Sequence, residues 1–190
     1  MNLNYENVVE KVLCSTEEIS EKVKVISREI EKYYADSEKK LLVLGILKGS
    51  VVFMADLMKE LHLPIEVDFM RLSSYGKGAV SSGNIVIKAG LEHKDLSEYN
   101  VLVVEDILDT GNTLYWLVDY LKKEHKCEDV KICTLLDKPD RREKPIYPDF
   151  CCFTIPDEFV IGYGLDYDEL YRNLPYVAVL KREVYEKTSQ

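Results

Sequence analysis

The chain has 190 residues, of which 46% are hydrophobic and 31% are charged, a composition that can bury the core of one α/β domain and excludes wholesale disorder. Its 25 basic and 34 acidic residues give a formal net charge of −9, and an acidic surface argues against a broad nucleic-acid groove. The apolar runs are shorter than the about 20 residues that a bilayer span needs, so we expect no membrane partner. We predict a single domain over residues 1–190.

Cysteine usage and the first residues predict a cytoplasmic location. The five cysteines form no CxxC pair, and an odd number of them is most simply explained as free thiols in a reducing compartment. Residues 1–10 are polar and mixed, without the apolar segment of a signal peptide.

Strand and helix signals alternate along the chain. Ser15 and Glu18 form a capping-box pattern, and apolar residues recur behind it at helical spacing, which predicts a first helix. Residues 41–47 are an unbroken apolar run, typical of a strand buried on both faces. The further predicted elements, in chain order, are a helix over 51–61, strands over 65–72, 85–87 and 101–104, a helix over 113–122, and strands over 130–136, 159–161 and 177–180.

This order of elements predicts an α/β fold with a mainly parallel twisted sheet flanked by helices. Residues 73–84 are rich in Ser and Gly and lack apolar periodicity, so they are predicted as a loop. In parallel α/β sheets ligands bind beyond the carboxyl ends of the strands. The residues that follow each strand are therefore the candidates for chemistry.

The most informative segment is residues 101–113, VLVVEDILDTGNT. Four apolar residues run into the carboxylates of Glu105, Asp106 and Asp109, and Thr-Gly-Asn-Thr then opens a helix. Small hydroxyl residues and glycine at a helix start leave backbone N–H groups free to bind an anion. Carboxylates beside a phosphate site are expected where a divalent cation or sugar hydroxyls lie between them. The plainer alternative is an acidic turn in which Asp109 or Thr110 caps the helix.

This string resembles the phosphoribosyl pyrophosphate (PRPP) motif of type I phosphoribosyltransferases. The resemblance covers about residues 41–180, in order and without large gaps. Further segments narrow it to the hypoxanthine-guanine phosphoribosyltransferases: LKGS at 47–50, RLSSY at 71–75 with SSG at 81–83, LLDKP at 135–139, PDEFVIGYGLDY at 156–167 and YRNLPY at 171–176.

The resemblance implies a fold, a reaction and an assembly. The fold is the type I phosphoribosyltransferase fold, with a small hood and a mobile lid loop. The reaction is purine salvage: the 5-phosphoribosyl group of PRPP passes to N9 of hypoxanthine or guanine, giving IMP or GMP and pyrophosphate, with Mg²⁺ as cofactor. The implied assembly is a homodimer or homotetramer.

The resemblance also assigns roles to residues of this sequence. Asp109 matches the catalytic base, placed near N7 of the purine. The positions that match PRPP and phosphate binding are Lys48, Gly49, Glu105, Asp106, Asp109, Thr110, Gly111, Asn112, Thr113 and Arg172. The purine-binding positions are Lys138, Phe159, Val160 and Asp166, the lid positions are Ser74 and Tyr75, and the metal-binding positions are Glu105, Asp106 and Asp166.

Three of these matches carry a specific expectation. Lys138 would donate to the exocyclic O6, and an ammonium, which only donates, favours an oxo group over the amino group of adenine. Many family members carry Lys where Asn112 stands; the phosphate contacts there are largely made by the backbone, so we expect little loss. The peptide bond before Lys48 can be cis in the family, and the sequence leaves its geometry open.

Three other functions remain open at this stage. Residues 45–50 superficially suggest a P-loop, but their order is Lys-Gly-Ser rather than Gly-Lys-Ser. A regulator of the same fold that binds RNA is a second alternative, against which the acidic balance and the intact Asp109 argue. A sister enzyme that prefers xanthine is the third, because Lys138 suits any 6-oxopurine.

Overall fold

The computed structural model describes residues 5–74 and 85–186, in which nine strands and four α-helices form. The helices are α1 (Thr16–Tyr34), α2 (Val51–Glu60), α3 (Asn112–Glu124) and α4 (Arg182–Glu186). The strands are β1 (Val9–Cys14), β2 (Lys40–Leu47), β3 (Ile65–Ser74), β4 (Ile85–Ala89), β5 (Tyr99–Leu108), β6 (Asp129–Asp137), β7 (Phe150–Thr154), β8 (Val160–Ile161) and β9 (Val177–Leu180).

A six-stranded sheet in the order β4-β3-β2-β5-β6-β7 forms the centre of the fold. Five of its strands are parallel to one another, and the edge strand β4 is antiparallel to β3. Parallel strands bring their carboxyl ends to one edge, so the residues that follow β2, β5 and β6 meet there. The predicted α/β fold with a mainly parallel sheet flanked by helices is confirmed.

Both faces of this sheet are covered by helices. On β2, Leu41 and Val43 pack in one apolar cluster with residues of α1 and α2, whereas Leu42 and Leu44 pack in another with residues of α3. All four side chains are buried. Burial of alternate residues on opposite faces explains why this strand is an unbroken apolar run.

A second, separate sheet has three antiparallel strands in the order β1-β9-β8. It has a small apolar cluster of its own, in which Ile161, Leu174, Ala178 and Leu180 are buried. This sheet corresponds to the small hood that the resemblance implies.

None of the described helices is both long and apolar enough to cross a membrane.

The structure differs from the predicted elements in several places. The strand predicted over 101–104 is longer: β5 reaches Leu108, because its pairing with β6 continues as far as the Leu108–Asp137 pair. Glu105 and Asp106 therefore lie within the last part of the strand and not after it. Strands β1 and β7 and helix α4 were not predicted. Of the predicted lid positions, Ser74 ends β3, and Tyr75 lies outside the described residues.

The capping box at the start of α1 is formed, which provides a test of local stability. The backbone N–H of Glu18 donates to Ser15 Oγ at 3.2 Å, and the N–H of Ser15 donates to Glu18 Oε2 at 2.8 Å. Ser15→Ala removes the first bond and should lower the free energy of unfolding by about 1 kcal/mol, measured by urea denaturation. Ser20→Ala, at an exposed position in the same helix, is the matched control and should cause no loss, because alanine favours helix. An equal loss in both variants would contradict the capping role.

Candidate active site

The loop after β2 and the end of β5 are in direct contact at the carboxyl edge of the main sheet. A side-chain carbon at Gly49 would lie 1.4 Å from Oδ2 of Asp106, so a residue with any side chain would displace the carboxylate or the loop. The peptide bond between Leu47 and Lys48 is cis, which answers the question that the sequence left open. The predicted pyrophosphate loop and the acidic pair thus belong to one site.

Glu105 and Asp106 form a partly buried pair of carboxylates at the end of β5. Oε2 of Glu105 is shielded from solvent and has no hydrogen-bond partner in the described part of the chain. Burial, and then the neighbouring charge of Asp106, raise the pKa of Glu105 well above its ordinary value, and burial also raises the pKa of Asp106. A shielded carboxylate oxygen without a partner, as at Glu105, is the kind of ligand that a hard divalent cation such as Mg²⁺ binds, so the pair is compatible with the predicted metal.

The segment between β5 and α3 is the predicted anion cradle. Gly111 has φ +83°, in the left-handed region that favours glycine, and precedes the first turn of the 13-residue helix α3. The N–H groups at the start of such a helix point toward an anion. The side-chain amide of Asn112 donates to Glu143 Oε2 at 2.7 Å and to Thr110 Oγ1 at 3.2 Å, so this residue ties the cradle to the loop after β6.

Asp109 lies close to the charged residues that follow β6. Its Oδ1 lies 3.1 Å from Nε of Arg141 but accepts no hydrogen bond, so the contact is an ion pair with unfavourable hydrogen-bond geometry. Arg141 also lies 3.6 Å from a carboxylate oxygen of Asp157, which in turn is 3.7 Å from Nζ of Lys138. One chain of alternating charges therefore links the predicted base to the predicted purine-binding lysine.

Lys138 is a buried cation at the first position after β6. Its ammonium donates to the carbonyl oxygen of Glu158 at 2.5 Å. Burial lowers the pKa of Lys138 below the usual lysine value, and the charges of Asp109 and Asp157 oppose that shift. An ammonium has three N–H donors, so Lys138 keeps donors available for a further oxygen acceptor.

Phe159 and Val160 follow on the segment that enters β8. The ring of Phe159 is 40% exposed and is stacked on the ring of Tyr185, with centroids 5.1 Å apart and planes at 21°. It also meets Tyr167 edge-on at 5.5 Å. Val160 is buried in β8. The ring of Phe159 thus already packs against two aromatic rings of the chain, and its stacking on a purine stays a prediction.

Arg172 joins the hood to the loop after β2. Its guanidinium pairs with Asp166 at 2.7 Å and donates to the carbonyl oxygen of Gly164 at 2.8 Å. Glu169 lies 3.3 Å from the same guanidinium and 2.7 Å from Nζ of Lys48. Asp166, predicted for purine and metal binding, is thus engaged by a cation in this structure.

A cavity of about 580 Å³ lies at the opposite edge of the sheet, where β2 and β3 begin. Two lysines in its lining are already paired, Lys39 with Glu128 at 2.7 Å and Lys40 with Glu66 at 3.0 Å. No predicted site residue lines it. Because the carboxylates, the cradle and the buried lysine all gather at the carboxyl edge, that edge is the candidate active site.

Sequence reasoning missed four charged residues of this site. Arg141, Asp157 and Glu169 take part in its ion pairs, and Arg142 bonds to the backbone of the cradle. Their only sequence signal is proximity, since each lies within a few residues of a predicted position. Long-range pairing of side chains leaves no spacing pattern that could have identified them.

Comparison with known proteins assigns this architecture to a family. The model of the phosphoribosyl transferase domain matches residues 15–168. The hypoxanthine-guanine phosphoribosyltransferase of Streptococcus pneumoniae R6 is 53% identical over 180 residues, covering 95% of this chain and 98% of the relative, and that of Bacillus subtilis is 49% identical, covering 94% and 97%. A crystal structure of a hypoxanthine phosphoribosyltransferase from Staphylococcus aureus superposes with a TM-score of 0.90 at 44% identity, covering 97% of this chain and 98% of that one.

The chain therefore belongs to the phosphoribosyltransferase family. Within that family it groups with the hypoxanthine-guanine phosphoribosyltransferases, the enzymes of purine salvage, with which it shares about half of its residues over nearly its full length. The family and the enzyme class predicted from the sequence are confirmed.

The raised pKa of Glu105 predicts a cost in stability that depends on pH. A carboxyl whose pKa is raised by folding destabilises the native state above its unfolded pKa, and this cost disappears as the pH falls toward about 4. Glu105→Gln should therefore raise the midpoint of thermal unfolding of the metal-free protein by about 2–4 °C at pH 8, and by much less at pH 4.

Calorimetric or circular-dichroism melts at both pH values, with Glu29→Gln as the control, measure this difference. Glu29 is exposed on α1, so its substitution should leave the midpoint nearly unchanged. A Glu105→Gln midpoint below that of the wild type at pH 8 would contradict the assigned burial of charge.

Proposed function

We propose that the chain transfers the 5-phosphoribosyl group of PRPP to N9 of hypoxanthine or guanine, giving IMP or GMP and pyrophosphate. The bond from the anomeric carbon to the pyrophosphate oxygen breaks, a bond to N9 forms, and the purine loses one proton. The observation that carries the proposal is the meeting of Asp106, Asp109 and Lys138 at one edge of the sheet, in a chain of this family.

Asp109 is proposed as the base that accepts the purine proton near N7. A base must lie within hydrogen-bond reach of the proton that it takes, and Oδ1 of Asp109 has no hydrogen-bond partner among the described residues. Arg141 contacts this carboxylate in the ligand-free protein and must give way when a purine N–H donates to it. The exchange replaces an ion pair of poor geometry with a hydrogen bond.

The phosphate groups of PRPP are proposed to bind at two places. The cradle formed by Thr110, Gly111, Asn112 and Thr113 would bind the 5′-phosphate through backbone N–H groups at the start of α3. The pyrophosphate would lie between the Lys48–Gly49 loop and Arg172, whose guanidinium can bind phosphate oxygens in a bidentate manner. This position requires Arg172 to exchange part of its pairing with Asp166 and Glu169 for the ligand.

Mg²⁺ is the proposed cofactor, consistent with the general use of this cation with PRPP in the family. Glu105 and Asp106 would hold it close to the ribose hydroxyls, and Asp166 would hold a second ion near the pyrophosphate. When bound, the cation supplies positive charge that stabilises the leaving pyrophosphate. Burial raises the pKa values of both Glu105 and Asp106, and the charge of Asp106 adds to the shift at Glu105, so a cation held between them would favour their ionised forms.

Lys138, Phe159 and Val160 are the proposed purine site. Lys138 would donate to O6, Phe159 would stack on the ring, and Val160 would contribute its backbone. A donor at this position favours 6-oxopurines over adenine, and it does not by itself distinguish hypoxanthine, guanine and xanthine.

A cytoplasmic homodimer or homotetramer is the proposed setting. The five cysteines are free, as in a reducing compartment. In a hypoxanthine phosphoribosyl transferase of Trypanosoma cruzi, 36% identical with a TM-score of 0.88, the C-terminal region has a role in oligomeric state and enzymatic activity. A membrane or nucleic-acid partner has no part in this proposal.

Incubation of the protein with PRPP, Mg²⁺ and one purine at a time tests the function. We expect nucleotide from hypoxanthine and guanine, little from adenine because Lys138 cannot accept a hydrogen bond from an amino group, and none without Mg²⁺. Chromatography of the products measures each nucleotide. Nucleotide formed from xanthine alone would assign the chain to the enzyme that prefers xanthine. Salt-sensitive RNA binding without any nucleotide product would favour the RNA-binding regulator of the same fold.

Asp109→Asn tests the proposed base. The amide keeps the size of the side chain but cannot take a proton, so turnover with hypoxanthine should fall by roughly 10²-fold or more. Asp119→Asn, which removes a carboxylate paired with Lys123 on the exposed part of α3, is the control and should retain wild-type turnover. Steady-state kinetics measure the turnover. Near-normal turnover of Asp109→Asn would mean that Asp109 positions the substrate and is not the base.

A further inference from the structure

Arg142 is a buried arginine in the loop that follows β6. Its side chain is 8% exposed, whereas that of its neighbour Arg141 is 47% exposed. Burial of a guanidinium is costly unless its charge is paired and its N–H groups find acceptors. The partners of Arg142 therefore indicate what its burial achieves.

The guanidinium of Arg142 donates to three backbone carbonyls and one carboxylate. Nε donates to the carbonyl oxygen of Asp109 at 2.9 Å, and Nη2 donates to that of Leu108 at 3.3 Å. Nη1 donates to the carbonyl oxygen of Ile146 at 2.5 Å. Nη2 also bonds to the carboxylate of Asp137, the last residue of β6, which supplies the compensating charge. The planar fork of one side chain thus joins three separate segments.

Two of these carbonyls immediately precede the anion cradle. The next carbonyl along the chain, that of Thr110, accepts from the backbone N–H groups of Glu143 at 2.9 Å and Lys144 at 3.2 Å. Three consecutive carbonyls, at residues 108–110, are therefore bound by Arg142 and the two residues that follow it. The aliphatic part of the Arg142 side chain also packs against Gly111. A side-chain carbon added at residue 111 would lie 3.1 Å from Cδ of the arginine.

The same guanidinium connects the phosphate half of the site to the purine half. Its charge partner Asp137 is directly followed by Lys138, and the backbone N–H of Lys138 donates to the carbonyl oxygen of Leu108 at 2.9 Å. Arg142 therefore sits between the segment that carries Asp109 and the segment that carries Lys138. It reaches neither of those two side chains, so any effect on the reaction passes through the backbone.

We propose that Arg142 is a positioning residue that sets the distance between the phosphate cradle and the purine site. It holds the backbone of Leu108 and Asp109 against the end of β6, so that the Asp109 carboxylate and the cradle N–H groups face substrates placed by Lys138. This inference rests on the proposed function, because it concerns how the two substrates are brought together. Lysine cannot replace Arg142, because its ammonium is a point charge, whereas the planar guanidinium donates hydrogen bonds to three segments at once.

Arg142→Lys is the principal test, since it keeps the positive charge and removes the planar guanidinium. A misplacement of about 1 Å at a reacting centre costs about 10²-fold, so kcat/KM for PRPP should fall by roughly that factor. The affinity for PRPP with Mg²⁺, measured by isothermal titration calorimetry without a purine, should also fall, by roughly tenfold. Arg28→Lys, at an exposed position on α1, is the matched control and should retain both values.

Asp137→Asn provides a second variant that leaves the guanidinium in place and weakens its charge partner. We expect a smaller loss of kcat/KM in the same direction. If the two residues act as a unit, the double variant should be no worse than Arg142→Lys alone. Circular-dichroism melts establish that each variant is folded; if Arg142→Lys is not, Asp137→Asn alone decides, and a kcat/KM within threefold of wild type then overturns the proposal.

Folded Arg142→Lys with kcat/KM and PRPP affinity within threefold of wild type would overturn the positioning role. The calorimetric measurement also separates this failure from a failure of the proposed function. If the wild type binds PRPP but makes no nucleotide from any purine, the proposed reaction is wrong, while the difference in PRPP affinity between wild type and Arg142→Lys still tests the positioning role.

Discussion

The contact between Gly49 and the carboxylate of Asp106 is the constraint on which the rest of the site depends. Because residue 49 has no side chain, the loop after β2 can lie directly on the end of β5. That contact brings the predicted pyrophosphate loop against the end of β5, where burial raises the pKa values of both Glu105 and Asp106. Burial thus disfavours the charged forms of these two carboxyls, and a cation bound there would favour them.

The carboxyl edge of the main sheet carries a group of positively charged side chains, although the chain as a whole is acidic. The formal net charge is −9, yet five cations gather at this edge, each paired with a carboxylate: Lys48, Lys138, Arg141, Arg142 and Arg172. Under the proposed function, phosphate oxygens or a purine replace the carboxylate in most of these pairs. The pair of Arg142 with Asp137 is the exception: both side chains are largely buried, and the guanidinium also donates to backbone carbonyls. Local pairing therefore gives this acidic protein a group of cations at the proposed substrate site.

Much of the fold and part of the site could be predicted from local sequence. The capping box at Ser15, the apolar run of β2 and the short strand β9 came out where the sequence placed them, because each is decided by residues close together in the chain. The end of β5 could not be predicted, since Glu105 and Asp106 are poor strand residues that are retained in the strand by pairing with β6. Strand β7 was missed for a related reason: its residues show no alternation, and it forms by pairing with the far edge of β6.

The sequence by itself determined the family, most of the strands and helices in their order, and the presence of an acidic segment leading into a helix start, because these depend on residue types at short spacing. Only the tertiary structure decided which charges meet. It brought Arg141 to Asp109, Glu169 to Lys48, and Arg142 to the carbonyls of residues 108 and 109, across separations of up to 121 residues in the chain. Long side chains can reach partners on any neighbouring segment, so their pairing depends on how strands and loops pack and not on their position in the sequence.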